Sequence, residues 1–185
     1  MTKHVLILAT DGFEQSELMK PKKNLEDAGI RTTVVSPDSG SIKGWDGGDW
    51  GDSVSVDKTV SEIDDIADYD ALLLPGGQIN PDKLRMNPDA VAIVEDFGKE
   101  NKPIAAICHA PWLLIEAGLV NGREVTGWPS IRTDLENAGA SVMDEEVVVD
   151  GNLITSRKPD DIPAFSQALL EKLGESVDKR ELESA

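Results

Sequence analysis

The chain has 185 residues, enough for one domain with a full core. Its 35 acidic residues outnumber 18 basic ones, a net charge of -17, and such a surface repels phosphate backbones, which argues against nucleic acid as a partner. One cysteine cannot close an intrachain disulfide, and one Cys with two His makes no ordinary zinc site, so a reducing compartment, no metal and no cofactor are expected.

The elements follow in chain order. Val5 to Ala9 is a continuous apolar run ending in Thr10-Asp11-Gly12 and reads as a buried parallel strand. This run is too short for a secretory signal, and no window approaches the ~18 apolar residues of a membrane span. A cytoplasmic protein without membrane contact is therefore expected. Leu18, Leu25 and Ala28 give Glu17 to Ala28 helical spacing, with Gly29 as a stop. A second strand covers Arg31 to Ser36 and breaks at Pro37. Residues 38–53, rich in Gly, Asp and Ser, read as a long loop or hairpin that carries Trp45 and Trp50.

Ala71 to Leu74 is a third buried strand, stopped by Pro75-Gly76-Gly77. Asp89 to Lys99 is a helix with Val91, Ile93, Val94 and Phe97 inward. Ile104 to Ile107 is a fourth strand running into Cys108, and Trp112 to Ala117 is the helix after it, stopped by Gly118. Val147 to Thr155 folds back at Asp150-Gly151-Asn152 as a hairpin. Pro159 opens a last helix to about Leu173. Residues 1–174 make one domain, and 175–185 form a polar, frayed tail. Alternating strands and helices imply an α/β fold: a mostly parallel sheet covered on both faces, with ligands at the C-terminal strand ends.

The loops at those ends hold Asp11, Glu14, Glu17, Gly76, Gly77, Cys108 and His109. Ala106-Ile107-Cys108-His109-Ala110 is a small-x-nucleophile-x-small pattern between strand and helix, the signature of a nucleophile elbow with alanine in both glycine places. A helix start there favours thiolate. His109 can serve as base, but adjacent side chains diverge, so contact with Cys108 needs a special backbone. The imidazole also needs an orienting acid. Gly76 and Gly77 suit backbone N–H groups aimed at an oxyanion. Four of the eight aromatics are tryptophans. Trp112 is a candidate pocket wall, whereas Trp45 and Trp50 read as core or interface.

These residues resemble the PfpI intracellular-protease family of the DJ-1/PfpI superfamily, over roughly residues 3–173. The carriers are Asp11 to Glu17 (DGFEQSE), Leu74 to Gly77 (LPGG), Cys108 to Trp112 within AICHAPW, and Glu145 to Asn152 (EEVVVDGN). Gly44 to Asp52 (GWDGGDWGD) resembles its general-stress branch. The resemblance implies a flavodoxin-like fold, Cys108 as reactive cysteine and Glu17 hydrogen-bonded to it. Gly77 and the N–H after the nucleophile would form the oxyanion hole. Asp82 stands where a neighbouring subunit would present an acid to His109, which implies a homo-oligomer. Ala110 departs from the commoner glycine after Cys-His.

The implied activities are proteolysis, deglycation of glyoxal- and methylglyoxal-modified protein, cofactor-free glyoxalase action and chaperone holding. The reading is a cysteine-dependent hydrolase-like stress protein acting on small reactive carbonyls or glycated protein. A peptidase with a Cys108, His109 and Asp82 triad across subunits is the second enzyme reading. A redox sensor or holdase with an oxidisable Cys108 is the non-enzymatic one. The acid excess, spread along the chain, also fits work at high salt.

Overall fold

The computed structural model describes residues 1–184; of the predicted tail, Ala185 lies outside the described residues. The strands are β1 (His4–Leu8), β2 (Phe13–Glu14), β3 (Arg31–Ser36), β4 (Ser41–Asp46), β5 (Asp49–Ser55), β6 (Lys58–Thr59), β7 (Ala71–Leu74), β8 (Ile104–Ile107), β9 (Glu124–Val125), β10 (Ser141–Val142), β11 (Val148–Asp150) and β12 (Leu153–Ser156). The helices are α1 (Gln15–Asp27), α2 (Ile79–Leu84), α3 (Pro88–Lys99), α4 (Pro111–Glu116), α5 (Arg132–Asn137) and α6 (Ile162–Lys172).

Seven strands form the central sheet in the order β11-β12-β8-β7-β1-β3-β6, parallel throughout except for β11 against β12. The apolar runs are continuous because both faces are covered. Alternation along each strand divides the core in two. Leu6, Leu8, Leu72, Leu74, Ile104 and Ala106 face Val94, Phe97, Leu113 and Leu114 of α3 and α4. Val5, Ile7, Leu73, Ala105 and Ile107 face Leu18, Leu25, Phe165 and Leu169 of α1 and α6. The chain leaves β1 for β3 on one side and returns to β7 on the other. The crevice beyond the adjacent ends of β1, β7 and β8 is therefore a topological switch point, where α/β folds bind ligands.

Local signals set several helix ends. Asn87 caps α3 by accepting from the Ala90 N–H at 2.9 Å, with Pro88 in first place. Gly29, at φ 79°, ends the turn after α1. Residues 41–55 form a hairpin, β4 against β5, around Gly47-Gly48 at φ 60° and 100°, the left-handed pair that a tight hairpin turn requires. This hairpin joins β2 in a separate three-stranded sheet.

Residues 79–84 are helical. The last helix starts at Ile162, after a short 3-10 turn at Pro159–Asp161. The tail is docked rather than frayed through Leu182 and Glu183. Asn24 is buried on α1 and takes the Glu183 N–H on Oδ1 at 2.7 Å, while Val177 and Leu182 pack on the adjoining core. A buried amide needs partners, and the tail supplies them. No helix of the described residues is long and apolar enough to cross a membrane.

Candidate active site

The elbow is built by backbone strain. Cys108 sits at φ 64°, in the left-handed region that non-glycine residues seldom adopt. Two long-range hydrogen bonds hold it there: its N–H donates to the Ser156 carbonyl at 3.0 Å, and its carbonyl accepts from the Trp128 N–H at 2.8 Å. Ala106 and Ala110 are fully buried, so small side chains let strand and helix pass closely.

Glu17, in the first turn of α1, is fully buried. Its Oε2 accepts from the Gly76 N–H at 2.9 Å. Oε1 has no nitrogen or oxygen partner, and the side chain's other contact is the Cys108 thiol. Burial, and then the charge of Glu14, push the Glu17 carboxyl up to about 8. Burial, and then the Glu17 carboxylate, push the Cys108 thiol above its ordinary range. The expectation of a thiolate favoured by a helix start is therefore corrected: α4 has only six residues, fewer than two turns, and desolvation beside an acid dominates. Thiol and carboxyl titrate as a pair that carries at most one negative charge at neutral pH. When Glu17 holds the proton, its repulsion is gone and its O–H faces the sulfur.

The Gly77 and His109 N–H groups donate to the Cys108 sulfur and favour its anion. The Gly76 N–H is spent on Glu17, so Gly76 positions the acid instead of offering a donor to substrate. Gly77 is at φ 84°, and a Cβ there would come 2.6 Å from the Glu14 nitrogen. Asn80, fully buried on α2, locks this turn from behind. Its Oδ1 accepts from the Thr10 N–H at 2.8 Å, and its Nδ2 donates to the carbonyls of Pro75 at 2.9 Å and Gly76 at 3.2 Å. It thereby ties the loop after β1 to the loop after β7.

His109 meets the thiol after all, with Nδ1 3.1 Å from Sγ, because the strained φ of Cys108 turns two adjacent side chains toward each other. Nε2 lies 3.3 Å from the Ser130 hydroxyl. With Nε2–H donating there, Nδ1 is left as acceptor for the thiol proton. Burial holds the imidazole below its usual range and so neutral. The ring is clamped between Trp128, stacked at 5.8 Å, and the edge of Trp112 at 5.2 Å. Trp112 is fixed in turn by Asp134, through Nε1–H to Oδ2 at 2.9 Å, and by Arg85 over its ring at 5.3 Å. Asp82 is exposed on α2 and does not line the cavity, so within one chain the partner of Nε2 is Ser130.

The cavity above the sulfur measures about 350 Å³. Cys108, His109, Glu17 and Gly77 line its floor, with Glu14, Trp45, Gly47, Gly48, Gln78, Trp128 and Pro159 around them. Two expectations change here. Trp128, not Trp112, walls the cavity, and Trp112 braces His109. Trp45 belongs to the cavity rather than to the core, because the hairpin carries it over the strand ends. Glu14 lines the wall half-buried, its carboxyl raised by burial and then by Asp46. Among the described residues no group of three or more His, Cys, Asp or Glu is placed to hold a metal ion.

Asn80 and Ser130 escape a sequence reading. A polar residue five positions after a Pro-Gly strand stop, and a serine in a Trp-Pro-Ser turn, carry no local signal of what they touch.

The DJ-1/PfpI family model matches residues 3–172. General stress protein 18 of Bacillus subtilis (strain 168) is 45% identical over 177 residues, covering 93% of this chain and 100% of that protein. Protein/nucleic acid deglycase 2 of Escherichia coli (strain K12) is 43% identical over 176 residues, covering 94% and 99%. The crystal structure of Drosophila melanogaster DJ-1beta superposes with a TM-score of 0.86 at 29% identity, covering 98% of this chain and 95% of that one. The family model spans nearly the whole chain, relatives above 40% identity are covered end to end, and the fold superposes on a solved member: the protein belongs to the DJ-1/PfpI family.

Proposed function

We propose that the protein is a cysteine-dependent deglycase of the stress response, acting on glyoxal- and methylglyoxal-derived carbonyls, free or carried on protein. One observation carries this reading: the buried Glu17 carboxyl, protonated at neutral pH, lies against the Cys108 thiol in a cavity open to small molecules. Sulfur attacks the aldehyde carbon, the C–S bond forms and the carbonyl π pair moves to oxygen. The Gly77 and His109 N–H groups, which donate to the sulfur beside that carbon, are our assignment for the donors that receive that charge. Glu17 or the imidazolium of His109 then protonates the oxygen, giving a hemithioacetal. Transfer of the carbinol hydrogen through an enediol gives a hydroxyacyl thioester without net oxidation. Water releases the hydroxy acid and restores the thiol; an adduct carried on protein enters the same path once its carbinol C–N or C–S bond breaks, the amine, guanidine or thiol leaving with the carbinol hydroxyl proton and the aldehyde being freed for sulfur.

Peptide hydrolysis asks more of the imidazole, since it must protonate a poor amine leaving group. In one chain His109 has a hydroxyl partner and a depressed pKa, which suits carbonyl addition better. An acid from a second copy, Asp82, is our proposal for what an oligomer adds. Glyoxalase turnover is the same chemistry on a free dicarbonyl. Purified protein is expected to consume methylglyoxal and to release it from modified protein, with Cys108→Ala abolishing both. Equal activity in wild type and Cys108→Ala would refute the enzyme reading.

A further inference from the structure

The chemistry proposed above uses one end of the cavity. The far wall is built from side chains that it leaves idle. Glu14 on β2 is the register partner of Trp45 on β4, and Trp45 is the partner of Trp50 on β5. Paired residues project from the same face, so a carboxylate and two indoles share one rung of the three-stranded sheet. The two indoles meet edge to face at 5.4 Å and 83°, which holds the Trp45 ring beside Glu14. Trp128, stacked on His109, supplies a second aromatic wall to the same cavity. Among the described residues no lysine or arginine lines that cavity. The charged group acting on the half-buried Glu14 is another acid, Asp46. A desolvated carboxylate between aromatic walls, with no cation of its own, is built for a cation from outside.

Size and access agree. A free dicarbonyl displaces only about three waters of ~30 Å³ each, a fraction of the 350 Å³ present. Gly47 and Gly48 line the mouth with backbone alone, between the exposed acids Asp46 and Asp49, so a polypeptide can cross this rim. Among natural side chains the guanidinium fits best. It is planar, weakly hydrated, stacks on indole and gives two parallel N–H donors to a carboxylate. Lysine offers a more strongly hydrated point charge, a cysteine adduct offers none, and a nucleotide brings phosphate against two glutamates.

We propose that Glu14, Trp45 and Trp128 form a guanidinium subsite beside Cys108, so that the preferred substrates are carbonyl adducts carried on arginine side chains. This rests on the deglycase reading for its chemistry but not for its binding. The first test therefore uses the Cys108→Ala protein, which cannot react, titrated with Nα-acetyl-arginine amide and with its neutral isostere Nα-acetyl-citrulline amide. Calorimetry or tryptophan fluorescence should show arginine bound at least about tenfold more tightly at low salt. Added KCl should narrow the gap, and Glu14→Gln in the same background should close it. Equal binding of the two ligands, or a preference that survives Glu14→Gln, would overturn the subsite. In the enzyme with Cys108 intact, the ratio of kcat/KM for glyoxal-modified arginine over glyoxal-modified N-acetylcysteine should fall about tenfold in Glu14→Gln. Arginine preference without turnover would remove the deglycase reading and leave the subsite. Turnover without arginine preference would do the reverse.

Discussion

The sharpest test of the site is the protonation of Glu17. Unfolded, its carboxyl titrates near 4.5; folded, it is held up to about 8. Between these values the folded protein binds the proton and the unfolded chain does not, so stability from this group is intact below pH 4.5 and lost as pH rises toward 8. Each pH unit costs about 1.4 kcal/mol, so the whole interval costs about 5 kcal/mol, a ceiling for a fully buried group. Glutamine copies the protonated form: its oxygen can accept from the Gly76 N–H, and it has no proton to lose. In a Cys108→Ala background, which removes the coupled thiol, urea unfolding of parent and Glu17→Gln proteins at pH 5, 6, 7 and 8 isolates the effect. The Gln variant should gain on its parent by at most about 1.4 kcal/mol per pH unit from pH 5 to 7, and by less from pH 7 to 8 as the folded carboxyl begins to titrate. A difference independent of pH would refute the buried neutral acid. With Cys108 present, Glu17→Gln should lower kcat by about 10²-fold or more, because an amide cannot relay a proton.

Asn80→Asp keeps an acceptor for Thr10 but turns a carboxylate toward the Pro75 and Gly76 carbonyls. It should destabilise by about 1–3 kcal/mol and lower kcat more than it raises KM, measured by unfolding and steady-state kinetics. The net charge of -17 implies that the melting temperature rises between low and molar KCl as like-charge repulsion is screened, and a flat or falling curve would count against work at high salt. Co-refolded Cys108→Ala and Asp82→Ala proteins should recover partial activity in mixed oligomers if the acid acts across a two-fold axis. No recovery in proven mixed oligomers would leave Ser130 as the partner of His109 Nε2.

The fold was legible because its signals are local. Apolar runs at 5–9, 71–74 and 104–107, each followed by a turn and a helix, dictate buried parallel strands whatever surrounds them. The elbow was legible for the same reason: alanines two positions either side of Cys108 are a property of five consecutive residues. Other features belong to the tertiary structure because they join distant parts of the chain. Asn80 meets Thr10 across 70 positions, and Ser130 meets His109 across 21. The hairpin swings Trp45 over the cavity only because β2 pairs with β4, which no window around Trp45 contains. The thiol shows the division most clearly. Adjacency to a helix start suggested a lowered pKa, and burial beside Glu17, 91 positions earlier in the chain, reversed the sign. Charge energetics depend on which groups share a volume without water, and that volume exists only once the strands have been brought together.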